Sequence, residues 1–424
     1  MKPIGNWDAL VRGFGALALG DGVARLPGIV AILLLARRLE PTDFGVVILG
    51  LTLMGWFSLV VDSGTEALGT RDISRQPERL REIAEPVLGL RVVLSVGAMT
   101  LFGATAWAAA SQPGDRIVLV LFAAVLPATA LNLRTMVLSV RAAKALGLSN
   151  VASQVVFLAG VAVLVRGSDD VVWVPVLKAV AELTYAALIL AALRGRFGLL
   201  RPRVDLGVWA VTLRQSLPLF ANGLARAVMF SSGVVLIGFI VDRHDVGLYA
   251  AAHRPVLVSA AVSGSLLVSF LASYSAAGRD ESVQIFRRTA WLGGATAPLA
   301  LGVSATSGFL LRLVYGEPYA AAAPVLALLI WIVPIVLAGG AYGIVLIAAN
   351  QQGRLLRNNL VGAGFTVIAT LAVVPTAGMI GAAVVAVAAQ GLVVALNYRT
   401  SVGLGIAPPL GVVLLGRASA GRTS

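Results

Sequence analysis

The chain has no cysteine in 424 residues, which excludes disulfides, thiolate metal sites and cysteine nucleophiles. Histidine is nearly missing too: only His244 and His253 occur. No metal and no cofactor is expected. Charged residues make up 12%, about half of the roughly 25% usual in soluble domains. A soluble fold of this length would break into two or three domains joined by polar linkers, and the sequence has none. Long polar loops carrying acid–base pairs are missing as well. Asp169-Asp170 is the one carboxylate cluster in the short loops on one side, so a membrane glycosyltransferase or polymerase is disfavoured and no catalytic residue is expected. What is present is apolar: 58% of the residues are hydrophobic, in repeated runs. The fold class this implies is an all-α polytopic membrane protein.

Runs of roughly 20 apolar residues suit a bilayer crossing. Twelve spans are expected, at 14–36, 46–66, 86–108, 117–138, 150–165, 171–193, 216–240, 248–271, 290–311, 322–348, 359–374 and 379–398. The segments between them alternate in charge. Those on the side of the N-terminus hold 21 of the 33 lysines and arginines, and the opposite loops hold 6. The positive-inside rule then places both termini in the cytoplasm and the chain in the cytoplasmic membrane as a multi-pass protein. Arg37-Arg38 runs against the rule locally. The formal charge of +13 is thereby explained by topology, and nucleic acid is not an expected partner because no basic aromatic module is present.

Thr42-Asp43-Phe44-Gly45-Val46 recurs as His244-Asp245-Val246-Gly247-Leu248, offset by 202 residues. Each copy lies between the first and second spans of its half, and each half has six spans. Parallel repeats of this kind are related by an axis along the membrane normal, with the binding site between halves. The expected division is a six-helix lobe over 1–193, a basic cytoplasmic linker over 194–215 and a second six-helix lobe with its tail over 216–424.

Leu39-Glu40-Pro41-Thr42-Asp43-Phe44-Gly45, Val61-Asp62-Ser63-Gly64, Arg71-Asp72-Ile73-Ser74 and Gly247-Leu248-Tyr249 resemble motifs of the Wzx-type oligosaccharide-lipid flippases of the MOP superfamily. The resemblance implies a two-lobed bundle with a central cationic cavity. It implies alternating access that carries an undecaprenyl-pyrophosphate-linked oligosaccharide to the outer leaflet for surface polysaccharide export. Membrane lipids and polysaccharide polymerase or export machinery are the expected partners, and a monomer the expected state. Two alternatives stay open: a MATE-like multidrug or cation antiporter of the same superfamily, and a lipid II flippase. A drug exporter would want an acidic cavity. The spans here carry six basic residues, Arg25, Arg91, Arg134, Lys178, Arg226 and Arg254, against the acidic Asp21, Asp62, Glu66 and Glu182.

Ionisable groups inside a membrane are costly and face protein or water. In a cationic cavity all six basic side chains are candidates to hold pyrophosphate, and arginine suits this because its planar fork donates two parallel hydrogen bonds. Structural readings stand beside that one. Asp21/Arg25 and Lys178/Glu182 are i,i+4 pairs, so each can be a simple ion pair. Arg91 and Arg134 lie near a cytoplasmic end and can snorkel. Arg226 and Arg254 have no acidic residue at i±3 or i±4 and are the stronger candidates. Asp62, with Asp21 and Glu182, is a candidate for ion coupling or charge pairing. His253 is read as packed or as a proton site.

Overall fold

Proline and glycine punctuate the helices. Pro41 opens helix Pro41–Asp62 behind an extended Glu40, and Pro113 opens Pro113–Ala123 behind an extended Gln112. A first-turn proline loses nothing, since its missing N–H has no helical partner there. Helix Pro41–Asp62 ends at Ser63, which is left-handed, with Gly64 also at positive φ. The computed structural model describes residues 26–66, 68–69, 73, 76–110, 112–139, 143–276 and 279–415. Among them there is helix and no strand. Residues 1–25, and with them Asp21 and Arg25, lie outside the described residues.

The protein is a multi-pass membrane protein. Eight helices among the described residues are long and apolar enough to cross a bilayer. A ninth results if Val283–Ala305 and Ser307–Tyr315, bent by 71°, form one span. One of the eight, Gln352–Gly403, is 52 residues long and turns back on itself at Gly378, whose φ of 54° favours glycine. Its arms pair where Asn358 donates to Asn397 Oδ1 at 2.9 Å, so this helix holds both expected spans 359–374 and 379–398. The count of twelve is not reached directly. Most of 14–36 lies outside the described residues, and Arg243–Ala276, which contains 248–271, is not among the eight.

Two expected spans are broken. Residues 117–138 fall into Pro113–Ala123, Leu126–Ala130 and Arg134–Ser139. Pro127 lacks the N–H to continue the helix before it, and the Asn132 side chain takes the backbone N–H of Arg134 at 3.2 Å. Residues 322–348 fall into Ala323–Leu329 and Ile332–Ala348, with Pro334 in the first turn of the second piece.

The described residues form two compact units. One contains residues as far as Ala227 together with Val241–Gly247. Its core gathers Leu80, Leu88, Leu133, Met136, Tyr185 and Ile189. The basic segment 198–205 is pinned to this unit. Arg203 N–H donates to the Glu85 carbonyl at 3.0 Å, Arg201 N–H to Glu85 Oε1 at 3.3 Å, and Trp209 Nε1 to the Pro86 carbonyl at 2.8 Å. The other unit contains Val228–Ile240 and the residues from Leu248 on. There Phe286 and Tyr342 rings lie 4.8 Å apart, and Tyr342 meets Tyr398 edge-on at 5.1 Å, over Val345 and Val413.

Candidate functional site

Arg91 is the most deeply buried arginine among the described residues, at 3% exposure. Two helix ends surround it. At the end of Pro41–Asp62, Asp62 ion-pairs with Arg91 and also accepts the backbone N–H groups of Gly64 at 3.1 Å and Glu66 at 3.0 Å. The left-handed Ser63–Gly64 step turns those amides toward the carboxylate. The break after Leu126–Ala130 leaves the Asn132 carbonyl without a helical donor, and Arg91 Nη1 fills it. Arg91 Nε donates to Thr65 Oγ1 at 2.9 Å. Asp62 and Glu66, with Leu59, Gly64, Phe220 and Gly223, line a cleft of about 260 Å³.

This network predicts its own energetics. Arg91→Met strands a largely buried carboxylate and should cost about 3–5 kcal/mol. Arg91→Met with Asp62→Asn should recover part of that, because the buried charge is gone and the asparagine Oδ1 still accepts one of the two amides. Thermal unfolding of the detergent-purified variants checks both. A single-variant loss within about 1 kcal/mol would mark the pair as no stronger than a surface one.

Three arginines of the loops opposite the basic segments have local partners. Arg38 Nη1 donates to the carbonyls of Val161, Ala162 and Val165 at 3.1, 2.8 and 2.5 Å. These close the end of helix Ala143–Leu164, where a cation also meets the negative pole of the helix dipole. Arg116 Nε donates to the Ala110 carbonyl at 2.7 Å with its guanidinium over Trp107, and Arg312 pairs with Glu317 at 2.7 Å. Arg38, one of the two residues that run against the charge rule, thus has a structural role.

Arg243, of the same loop set, pairs with Asp115, both side chains mostly buried. The two repeat copies meet beside it. A Cβ on Gly45 would overlap the Arg243 carbonyl and lie 2.9 Å from the Gly247 nitrogen, and one on Gly247 would overlap the Pro41 carbonyl. Helices Pro41–Asp62 and Arg243–Ala276 therefore touch backbone to backbone at their N-termini, through the glycines of the repeated motif. Asp115 and Arg243 were not singled out from sequence. They are 128 residues apart, and only their placement in the same set of loops pointed to a meeting.

The remaining candidates lie on four different helices. Lys178 pairs with Glu182 at 2.7 Å, its ammonium 5.9 Å from the Phe157 ring centre. Arg134 is exposed at the start of Arg134–Ser139. Arg226 is exposed on helix Leu206–Ile240. Arg254 is partly buried on Arg243–Ala276, and Tyr315 is its electrostatic neighbour. Neither Arg226 nor Arg254 has an ion pair among the described residues. His253 is buried, stacked on Tyr249 at 5.6 Å and hydrogen-bonded to the backbone at Phe230.

The family described as "Polysaccharide biosynthesis protein" matches residues 10–274. No curated protein matches the chain. Among solved structures, the lipid II flippase MurJ in an inward closed conformation is similar over 91% of this chain and 87% of its own. Its TM-score is 0.74 at 12% identity. A multidrug resistance MATE family transporter of the MOP superfamily, inward-facing, is similar over 93% and 96%, with TM-score 0.67 and 13% identity. A MOP superfamily transporter from Pyrococcus furiosus with reversed binding-pocket polarity is similar over 96% of each, with TM-score 0.57 and 13% identity. The fold is that of MOP-superfamily transporters.

Proposed function

The chain belongs to the polysaccharide biosynthesis protein family, and from that premise we propose that it flips an undecaprenyl-pyrophosphate-linked oligosaccharide across the cytoplasmic membrane by alternating access. The observation that carries the reading is Arg254. It is a partly buried arginine within the helix that contains the expected span 248–271, without an ion pair among the described residues. Such a charge is expensive unless an anion visits it. A pyrophosphate matches its fork. Arg226, also without such a pair, and Arg25 are proposed to share the headgroup, with Arg134 adding positive potential, while Arg91 and Lys178 are balanced by Asp62 and Glu182. The six-to-four basic excess in the spans disfavours an exporter of cationic drugs. A lipid II flippase would use the same headgroup chemistry, and only the cargo separates it from the main reading.

Removal of the protein from its host tests this. Lipid-linked surface-glycan precursor should accumulate on the inner leaflet while drug susceptibility stays unchanged. Accumulation of lipid II instead would give the cargo to cell-wall synthesis, and drug hypersensitivity alone would sink the flippase.

The proposed topology has its own check, helped by the lack of native cysteine. A cysteine at the exposed Leu199 should resist an impermeant thiol reagent applied to intact cells and react once the membrane is permeabilised, and one at Ser168 should react in intact cells. Labelling of Leu199→Cys from outside would reverse the orientation.

A further inference from the structure

The hairpin Gln352–Gly403 carries a basic notch that neither the transport path nor the repeat accounts for. Arg354 and Arg357 stand one turn apart near the start of the first arm, and Arg399 stands near the end of the second. With Asn358 and Thr400 they line a notch of about 460 Å³ that contains no acidic residue. All three arginines are exposed, and none has an ion pair among the described residues. That sets them apart from Arg38, Arg116, Arg243 and Arg312, each of which is occupied. Asn358 already donates to Asn397 Oδ1 at 2.9 Å and Thr400 Oγ1 at 3.1 Å, which ties the two arms together beneath the arginines.

An apolar track continues from the notch. Val361, Phe365 and Ile368 follow Arg357 at helical spacing and are 48%, 38% and 71% exposed. Cation and apolar stripe on one helix face match an amphiphile with an anionic head and a hydrocarbon tail. The geometry points to a binding site for an anionic bilayer phospholipid. Its phosphodiester sits among Arg354, Arg357 and Arg399, and an acyl chain lies along Val361, Phe365 and Ile368. Basic pockets at helix ends bind acidic headgroups by this chemistry, and arginine can grip a phosphate through two parallel bonds. The site is independent of the transported cargo.

The full chain in neutral detergent, titrated with phosphatidylglycerol and separately with phosphatidylcholine, tests the site by native mass spectrometry of lipid adducts. The expected result is one phosphatidylglycerol adduct retained well above the phosphatidylcholine level. A near-surface arginine contributes about fivefold, so Arg354→Gln, Arg357→Gln and Arg399→Gln together should weaken that adduct on the order of a hundredfold. Arg194→Gln, Arg201→Gln and Arg214→Gln, which remove three exposed arginines elsewhere, should leave it intact. Should the notch triple variant fail to fold, Arg357→Gln alone carries the test with its fivefold loss. Val361→Ser with Ile368→Ser should weaken the adduct as well, and millimolar inorganic phosphate should not displace it. Equal retention by the notch variant and wild type overturns the site. Displacement by phosphate with no effect of the serine pair would make it a phosphate notch and overturn the lipid assignment.

Discussion

Arg254→Ala is expected to stop export of the lipid-linked glycan while leaving the protein as stable as before, or more so. The two halves of that result belong together. Arg254 has no ion pair among the described residues, where its electrostatic neighbours are His253 and the Tyr315 phenol. A structural arginine would leave a stranded carboxylate behind when removed, as Arg91 would at Asp62. Arg254 strands none, so its removal relieves a desolvated charge. If pyrophosphate is its partner, loss of a charge-assisted contact in a desolvated site costs about 2–5 kcal/mol, a thirtyfold to several-thousandfold fall in transport. Arg254→Lys keeps the charge but not the fork, so it should transport poorly without failing completely. The measurement is inner-leaflet precursor in cells carrying matched amounts of each variant, beside thermal midpoints of the purified proteins. Normal export by Arg254→Ala would remove the observation on which the flippase reading rests. A lowered midpoint with a proportionate loss of export would make Arg254 a packing residue.

Much of the architecture was legible because hydropathy and loop charge are additive properties that survive averaging over a window. The runs that became Pro41–Asp62, Leu80–Ala109 and Trp173–Phe197 needed no knowledge of contacts. The breaks within 117–138 and 322–348 were hidden because their composition stays apolar through the break. The signals were single residues, Pro127, Asn132 and Pro334, and proline alone is common in membrane helices. The candidate site was legible only where pairing is local. Lys178–Glu182 is an i,i+4 pair and could be named in advance. Asp62–Arg91 joins residues 29 apart through a helix end and a helix break, neither of which has a periodic signature. The repeated motif announced that Gly45 and Gly247 are equivalent. It could not announce that they touch, because a sequence repeat gives symmetry without distance.

A covalent tie between positions 115 and 243 is expected to abolish transport. Asp115 and Arg243 already pair, and beside them Gly45 and Gly247 let two helix N-termini meet without side chains between. Every residue of this cluster falls in a loop read as extracytoplasmic. If export is alternating access, these helices must part for cargo to leave and close again for the next cycle. Such motions swing packed elements between discrete arrangements. Asp115→Cys with Arg243→Cys tests the parting directly, since the rest of the chain has no cysteine for a reagent to reach. A short, cleavable thiol cross-linker should reduce export to background, and cleavage should restore the level of the untreated double variant. The wild type should ignore the reagent. Gly247→Leu perturbs the opposite half of the cycle. Its side chain would collide with the Pro41 backbone and hold the helices apart, so transport should also fail, yet a cysteine at position 243 should become more reactive from outside. Full export by the cross-linked protein would mean that this end never opens during transport, and the glycine contact would then be packing alone.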